Sequence, residues 1–203
     1  MMNTPGFYGD VPKITLYDPL AEFLGASEAG IVEYGYLDAV KLAGHSCPTV
    51  AGAWLMTRKA LASLYGNELP VRGLIKVEFR DGQADGVAGV IANVVGLLTG
   101  AAQSGGFKGI GGKFDRRNLL HFNAGISGEI RFTRLDTGMS VEVVYHPELA
   151  PPSAPMKELM QKTMMGIASA DERREFGVLW QERVKRILID HADDTGLVVA
   201  VGG

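Results

Sequence analysis

The sequence predicts a globular domain that mixes helices with an antiparallel sheet. Two stretches carry this expectation. Val50, Trp54, Leu55, Arg58, Leu61 and Leu64 recur at helical spacing behind Pro48, as on a helix with one inward face. Glu129–Arg134 and Met139–His146 instead flank Asp136-Thr137-Gly138, the signature of an antiparallel hairpin. With 46% hydrophobic and 21% charged residues in 203, the composition is that of a folded chain rather than a disordered or membrane-embedded one.

In chain order, a loop with Pro5, Gly6, Gly9 and Pro12 leads to Asp18, which can cap a short helix to about Leu24 with Pro19 in its first position. Ile31–Leu42 is rich in helix formers, with Tyr34, Leu37, Val40 and Lys41 three and four apart, and stops at Gly44. Pro48 starts the next helix, which Gly66-Asn67 closes. Leu74–Phe79 reads as a strand ended by an Asp81-Gly82 turn. Gly86–Leu98 is apolar on all sides and holds Gly86, Gly89, Ala92 and Gly96, so a buried helix with close neighbours is expected there. The Gly-rich stretch Thr99–Lys113 and then the hairpin follow.

Pro147, Pro151, Pro152 and Pro155 mark a boundary loop. Met156, Leu159, Met160, Met164 and Ile167 then share one helical face, a pattern more often core or dimer interface than cofactor box. Ser169 and Glu172 form a capping box, opening a helix with Phe176, Leu179, Trp180, Val184, Ile187 and Leu188 inward. Leu197–Val201 is a last strand. Residues 1–150 thus form the main unit and 151–203 a helical extension, packing on the same core or on a dimer partner. No internal repeat is visible.

A net charge of −3 argues against a nucleic-acid binder. Its distribution is uneven. Residues 1–40 set Lys13 against six carboxylates, whereas residues 101–134 carry six cations, among them Lys108, Lys113, Arg116 and Arg117, against two. The basic stretch suits either a small anionic ligand or pairing with the acidic N-terminal region. Met1–Lys13 lacks a basic start followed by an apolar stretch, so no signal peptide is expected, and Gly86–Leu98 is too short to span a bilayer. A cytoplasmic protein without membrane contact is the expectation.

The single cysteine, Cys47, excludes an intrachain disulfide framework and any four-cysteine zinc module. It sits in His45-Ser46-Cys47-Pro48. An imidazole and a thiolate two residues apart can reach one borderline metal, and Zn²⁺ accepts both donor types. The helix that Pro48 begins favours the thiolate at its N-terminus, which serves a ligand or a nucleophile alike. The alternative is a small buried Cys beside a structural His. Asp81, Asp85, Asp115, His121 and His146 are further candidate ligands, His121 flanked by apolar residues as core histidines often are. The Gly-rich stretch resembles an anion-binding loop, yet neither a Walker pattern nor Gly-x-Gly-x-x-Gly fits it, and no nucleophile elbow is present.

Gly44-His45-Ser46-Cys47-Pro48, with Gly52 and a helix after it, resembles the Gly-His-x-Cys-Pro signature of the FmdE-like family, which takes its name from an accessory polypeptide of formylmethanofuran dehydrogenase. Val77–Asp85 is similar, without gaps, to that family's strand-to-helix stretch. Thr99-Gly100 and the segment with Lys108 and Lys113 correspond loosely to its later Gly/Lys stretches. The likeness spans about residues 35–145. Departures are Gly82 and Ala101 where the family carries cysteine, an insertion between Asp85 and Thr99, and no C-terminal zinc ribbon, so a site of several thiolates cannot form. The resemblance implies an α+β fold, helices packed on an antiparallel-rich sheet, commonly as a homodimer. It implies His45 and Cys47 as metal ligands and Asp85 as a matching acidic position. His121 joins them on our reading of the residues alone.

The function expected is a zinc-type mononuclear site at His45/Cys47 beside the Gly-rich loop, with Lys108 or Lys113 anchoring an anionic small molecule. The alternative is a non-catalytic accessory protein or a carrier of metal or cofactor in one-carbon or redox metabolism.

Overall fold

Asp18 opens the first helix as its spacing demands: its side chain accepts from the backbone N–H of Leu20 and Ala21 at 2.9 and 3.2 Å. The computed structural model describes residues 4–202; residues 1–3, part of the stretch in which a leader would begin, lie outside them. In chain order the elements are β1 (Ile14–Tyr17), α1 (Pro19–Phe23), β2 (Ile31–Tyr34), α2 (Tyr36–Ala43), α3 (Pro48–Tyr65), β3 (Ile75–Phe79), α4 (Ala88–Thr99), β4 (Leu120–His121), β5 (Ile130–Arg134), β6 (Ser140–Tyr145), α5 (Ala154–Met164), α6 (Ala170–Lys185) and β7 (Val198–Val201). A π-helical stretch, Arg186–Asp190, continues α6.

The architecture is α+β. β1 and β2 form an antiparallel pair, and a second sheet has the order β4-β3-β5-β6-β7. In it only β3 and β4 are parallel. The hairpin of β5 and β6 turns where Asp136-Thr137-Gly138 predicted, with Gly138 at φ 75°, a left-handed conformation that suits glycine. Its register sets Ile130 opposite Val143 and Phe132 opposite Val141, so both strands turn their apolar residues to one face.

Helix α3 packs on β6 and β7 on one side and on α4 on another. That position explains why Trp54, Met56, Ala60 and Leu61 are all buried although the segment looks amphipathic. Gly52 of α3 lies against the Tyr145 ring of β6, and a Cβ there would stand 2.7 Å from the ring Cζ. Val184, Ile187, Leu188, Leu197 and Val198 join the same apolar core, and β7 pairs with β6.

Two readings of the sequence are corrected. Ile31–Leu42 is not one helix: Ile31–Tyr34 is extended and pairs with Ile14–Tyr17, a strand that the sequence did not reveal. Gly35 separates it from α2, with Asp38 accepting from the Gly35 N–H at 2.9 Å. Local helix formers were overridden by a strand partner from the preceding segment. The face read from Met156 to Ile167 is shorter than expected, because α5 ends at Met164 and Ile167 lies beyond it: Met156 and Leu159 are buried, while Met160, Met164 and Ile167 are exposed.

Among the described residues no helix is long and apolar enough to cross a membrane.

Candidate functional site

Two helix ends meet at Gly44–Pro48. Gly44 closes α2 at φ 76°, and Pro48 takes the first position of α3, where its missing N–H costs nothing. Cys47 is the N-cap: its backbone is extended and its Sγ accepts from the Val50 N–H at 3.5 Å. His45 Nδ1 stands 3.0 Å from the Ala43 carbonyl oxygen. A carbonyl can only accept, so Nδ1 carries the proton and a neutral ring keeps its Nε2 lone pair free.

Ser46, between them, is buried and clamped from both sides. Its carbonyl accepts from Trp180 Nε1 at 2.9 Å and Gln181 Nε2 at 3.2 Å, both on α6. Its hydroxyl bonds with the Tyr36 hydroxyl at 3.0 Å. The chemistry-bearing loop is thus held by α2 and α6 as well as by α3.

His45 and Cys47 line one open cavity of about 580 Å³. Val87, the N-cap residue of α4, and Ile91 within it make an apolar wall, while Glu129, Tyr145, Trp180 and Arg183 supply polar groups. Tyr145 donates to the Pro48 carbonyl at 3.1 Å, and burial pushes its phenol well above the usual range, so it remains a donor. Burial likewise raises the Glu129 carboxyl, against the lowering influence of the Tyr145 backbone, Arg80 and His146. A carboxyl that keeps its proton beyond the ordinary range suits proton transfer.

Of the candidate ligand and anion-anchoring residues expected from the sequence, His45 and Cys47 alone line this cavity. Asp85 lines an adjoining one of about 210 Å³, which has Val87, Ile91 and Glu129 in common with the first. Its carboxylate accepts from the Gly82 N–H at 2.9 Å. A Cβ on Gly82 would meet that carboxylate oxygen at 2.6 Å, so here Asp85 fills the space toward which a cysteine at 82 would project. His121 is exposed on the edge strand β4, with Nε2 2.8 Å from the Asn118 carbonyl. Lys108 and Lys113 are exposed in the Gly-rich loop and do not line the cavity.

Glu129, Tyr145, Trp180 and Arg183 were missed as site residues. Trp180 and Arg183 stand three apart, on one face of a helix, which is the one signal that the sequence held. Glu129 and Tyr145 become neighbours only through the β5–β6 pairing.

Among the described residues no three His, Cys, Asp or Glu side chains stand close enough together to hold a metal ion. By donor type His45 and Cys47 fit two positions of a zinc-type shell, which needs three or four. Neither protein-family models nor curated proteins match this chain.

Proposed function

We propose that the cavity at the head of α3 is an open metal site of zinc type, as in the family that the Gly44–Pro48 signature resembles. His45 Nε2 and Cys47 Sγ are its two protein donors, and a bound small molecule or water completes the shell. The observation that carries this reading is the hydrogen bond between His45 Nδ1 and the Ala43 carbonyl. Metal-binding histidines characteristically give their second nitrogen to a carbonyl or carboxylate, which fixes tautomer and ring orientation. Asp85 and His121 are engaged with Gly82 and Asn118 and are not part of the proposed set.

A zinc-type ion in such a place polarises a carbonyl or acidifies a bound water. The chain's own part is to hold the donor loop through Ser46, to keep Tyr145 as a neutral donor near Pro48, and to offer Glu129 as a group that gains or loses a proton. Val87 and Ile91 give the cavity one apolar wall.

Equilibrium dialysis against Zn²⁺ with elemental analysis tests the reading. Wild type and Asp85→Asn should each hold close to one zinc per chain, and Cys47→Ser and His45→Ala should lose it while keeping the melting temperature. A wild type that takes up no zinc, or a Cys47→Ser protein that binds as wild type does, overturns it.

A further inference from the structure

Arg183 brings to the same cavity a charge for which the metal reading has no use. Its Nε donates to the Ala150 carbonyl at 2.7 Å and one Nη to the Pro147 carbonyl at 3.3 Å. These two bonds fix the guanidinium plane and leave Nη1 without a protein acceptor among the described residues. Among the described residues no carboxylate forms an ion pair with Arg183: Glu148 pairs with His146 at 2.9 Å, and Glu129, which lines the same cavity, takes part in none of the ion pairs. A half-buried cation, already oriented and lacking a counter-ion, therefore faces a space walled by Val87, Ile91 and the Trp180 ring.

Guanidinium groups recognise carboxylates through paired, charge-assisted hydrogen bonds. Pre-orientation by two carbonyls removes much of the ordering cost of forming them. Small-molecule sites run from about 300 to 1,000 Å³ and are mainly apolar with a few placed polar groups, and this cavity of about 580 Å³ matches that description. Lys108 and Lys113 do not line it, so within this cavity Arg183 is the cation placed to meet an anion.

We propose that the ligand of this cavity is an organic acid with a ring-sized apolar body, its carboxylate on Arg183 and its body between Trp180 and the Val87–Ile91 wall. This deepens the reading of the cavity as the functional site, and it requires no metal.

Trp180 lines the cavity, and the only other tryptophan, Trp54, is fully buried, so intrinsic fluorescence of the full chain reports occupancy. Phenylacetate, its neutral isostere phenylacetamide, and inorganic phosphate are the probes, each with zinc and with chelator. Phenylacetate should bind saturably and roughly tenfold or more tightly than the amide, the ratio set by one charge-assisted bond, and Arg183→Met should abolish that preference. Equal binding of acid and amide, no saturable binding of phenylacetate, or phosphate competing as well as phenylacetate overturns the proposal. Should Arg183→Met fail to fold, the acid-to-amide ratio on wild type decides alone. Acid binding that survives chelator and Cys47→Ser sustains this inference even if zinc uptake fails. Zinc uptake without acid binding leaves the metal reading standing and removes this one.

Discussion

Asp18 and Arg116, 98 residues apart in the chain, form a 2.7 Å ion pair with both side chains almost wholly removed from water. Arg72 takes the second carboxylate oxygen of Asp18 at 2.8 Å. The pair ties the segment just after the Gly-rich stretch to the start of α1, so part of the basic stretch is answered by the acidic N-terminal region. Gly73 and Gly100, at φ 88° and 74°, leave the room that the guanidinium of Arg116 occupies, since a Cβ on Gly73 would overlap it. Its Nη1 has no hydrogen-bond partner among the described residues, which makes the loss of Asp18 more costly still.

Replacing Asp18 by Asn keeps the cap of α1 but leaves two guanidinium groups without their charge partner. We expect a loss of about 3–5 kcal/mol, the usual cost of breaking a buried pair, read as a lower urea midpoint at unchanged slope. Burial raises the Asp18 carboxyl, but the Arg72 hydrogen bond and the Arg116 charge outweigh it and hold the group below its ordinary value. Its stabilisation is therefore present above about pH 4 and lost as pH falls through the folded-state value. The gap between wild type and variant should close in that acid range.

Gly52→Ala reverses the sign that helix propensity assigns. Alanine is favoured over glycine in a helix interior by about 1 kcal/mol, but here its methyl would overlap the Tyr145 ring. Overpacking of this kind costs about 1–3 kcal/mol, so thermal unfolding should occur at a lower temperature than in wild type. A higher melting temperature would mean that Tyr145 yields without cost.

Cys47→Ser should leave the fold intact and change stability by less than about 1 kcal/mol, because serine is among the best N-cap residues and Cys47 already accepts from Val50. Circular dichroism during heating checks this. The variant then separates loss of a metal donor from loss of structure.

Glu129→Gln should stabilise the protein at pH 7. Burial raises the folded-state carboxyl above its unfolded value, so the contribution of Glu129 is complete at low pH and is lost as pH rises through the folded-state value. The advantage of the glutamine should shrink to nothing below about pH 4, where the carboxyl is protonated in both states. Paired urea titrations at pH 7 and pH 4 measure it.

The elements legible in the sequence were those whose cause is local. Pro48 and Gly66 bound α3, Asp18 and Pro19 start α1, Gly138 turns the hairpin, and Ser169 with Glu172 caps α6 at 3.1 and 2.7 Å, each through groups a few residues apart. The His45/Cys47 loop belongs to the same class, since its two side chains are neighbours in any fold. Nothing local marks Ile14–Tyr17 as the strand that claims Ile31–Tyr34, or Arg183 as the cation of the cavity. Those depend on which distant backbone lies alongside, and on burial that strips water from Glu129, Arg183 and Asp18. The residue types and their nearest companions were thus set by the sequence alone. Which charges meet, and which is left unanswered beside an apolar wall, was decided only when the sheet and α6 closed around α3.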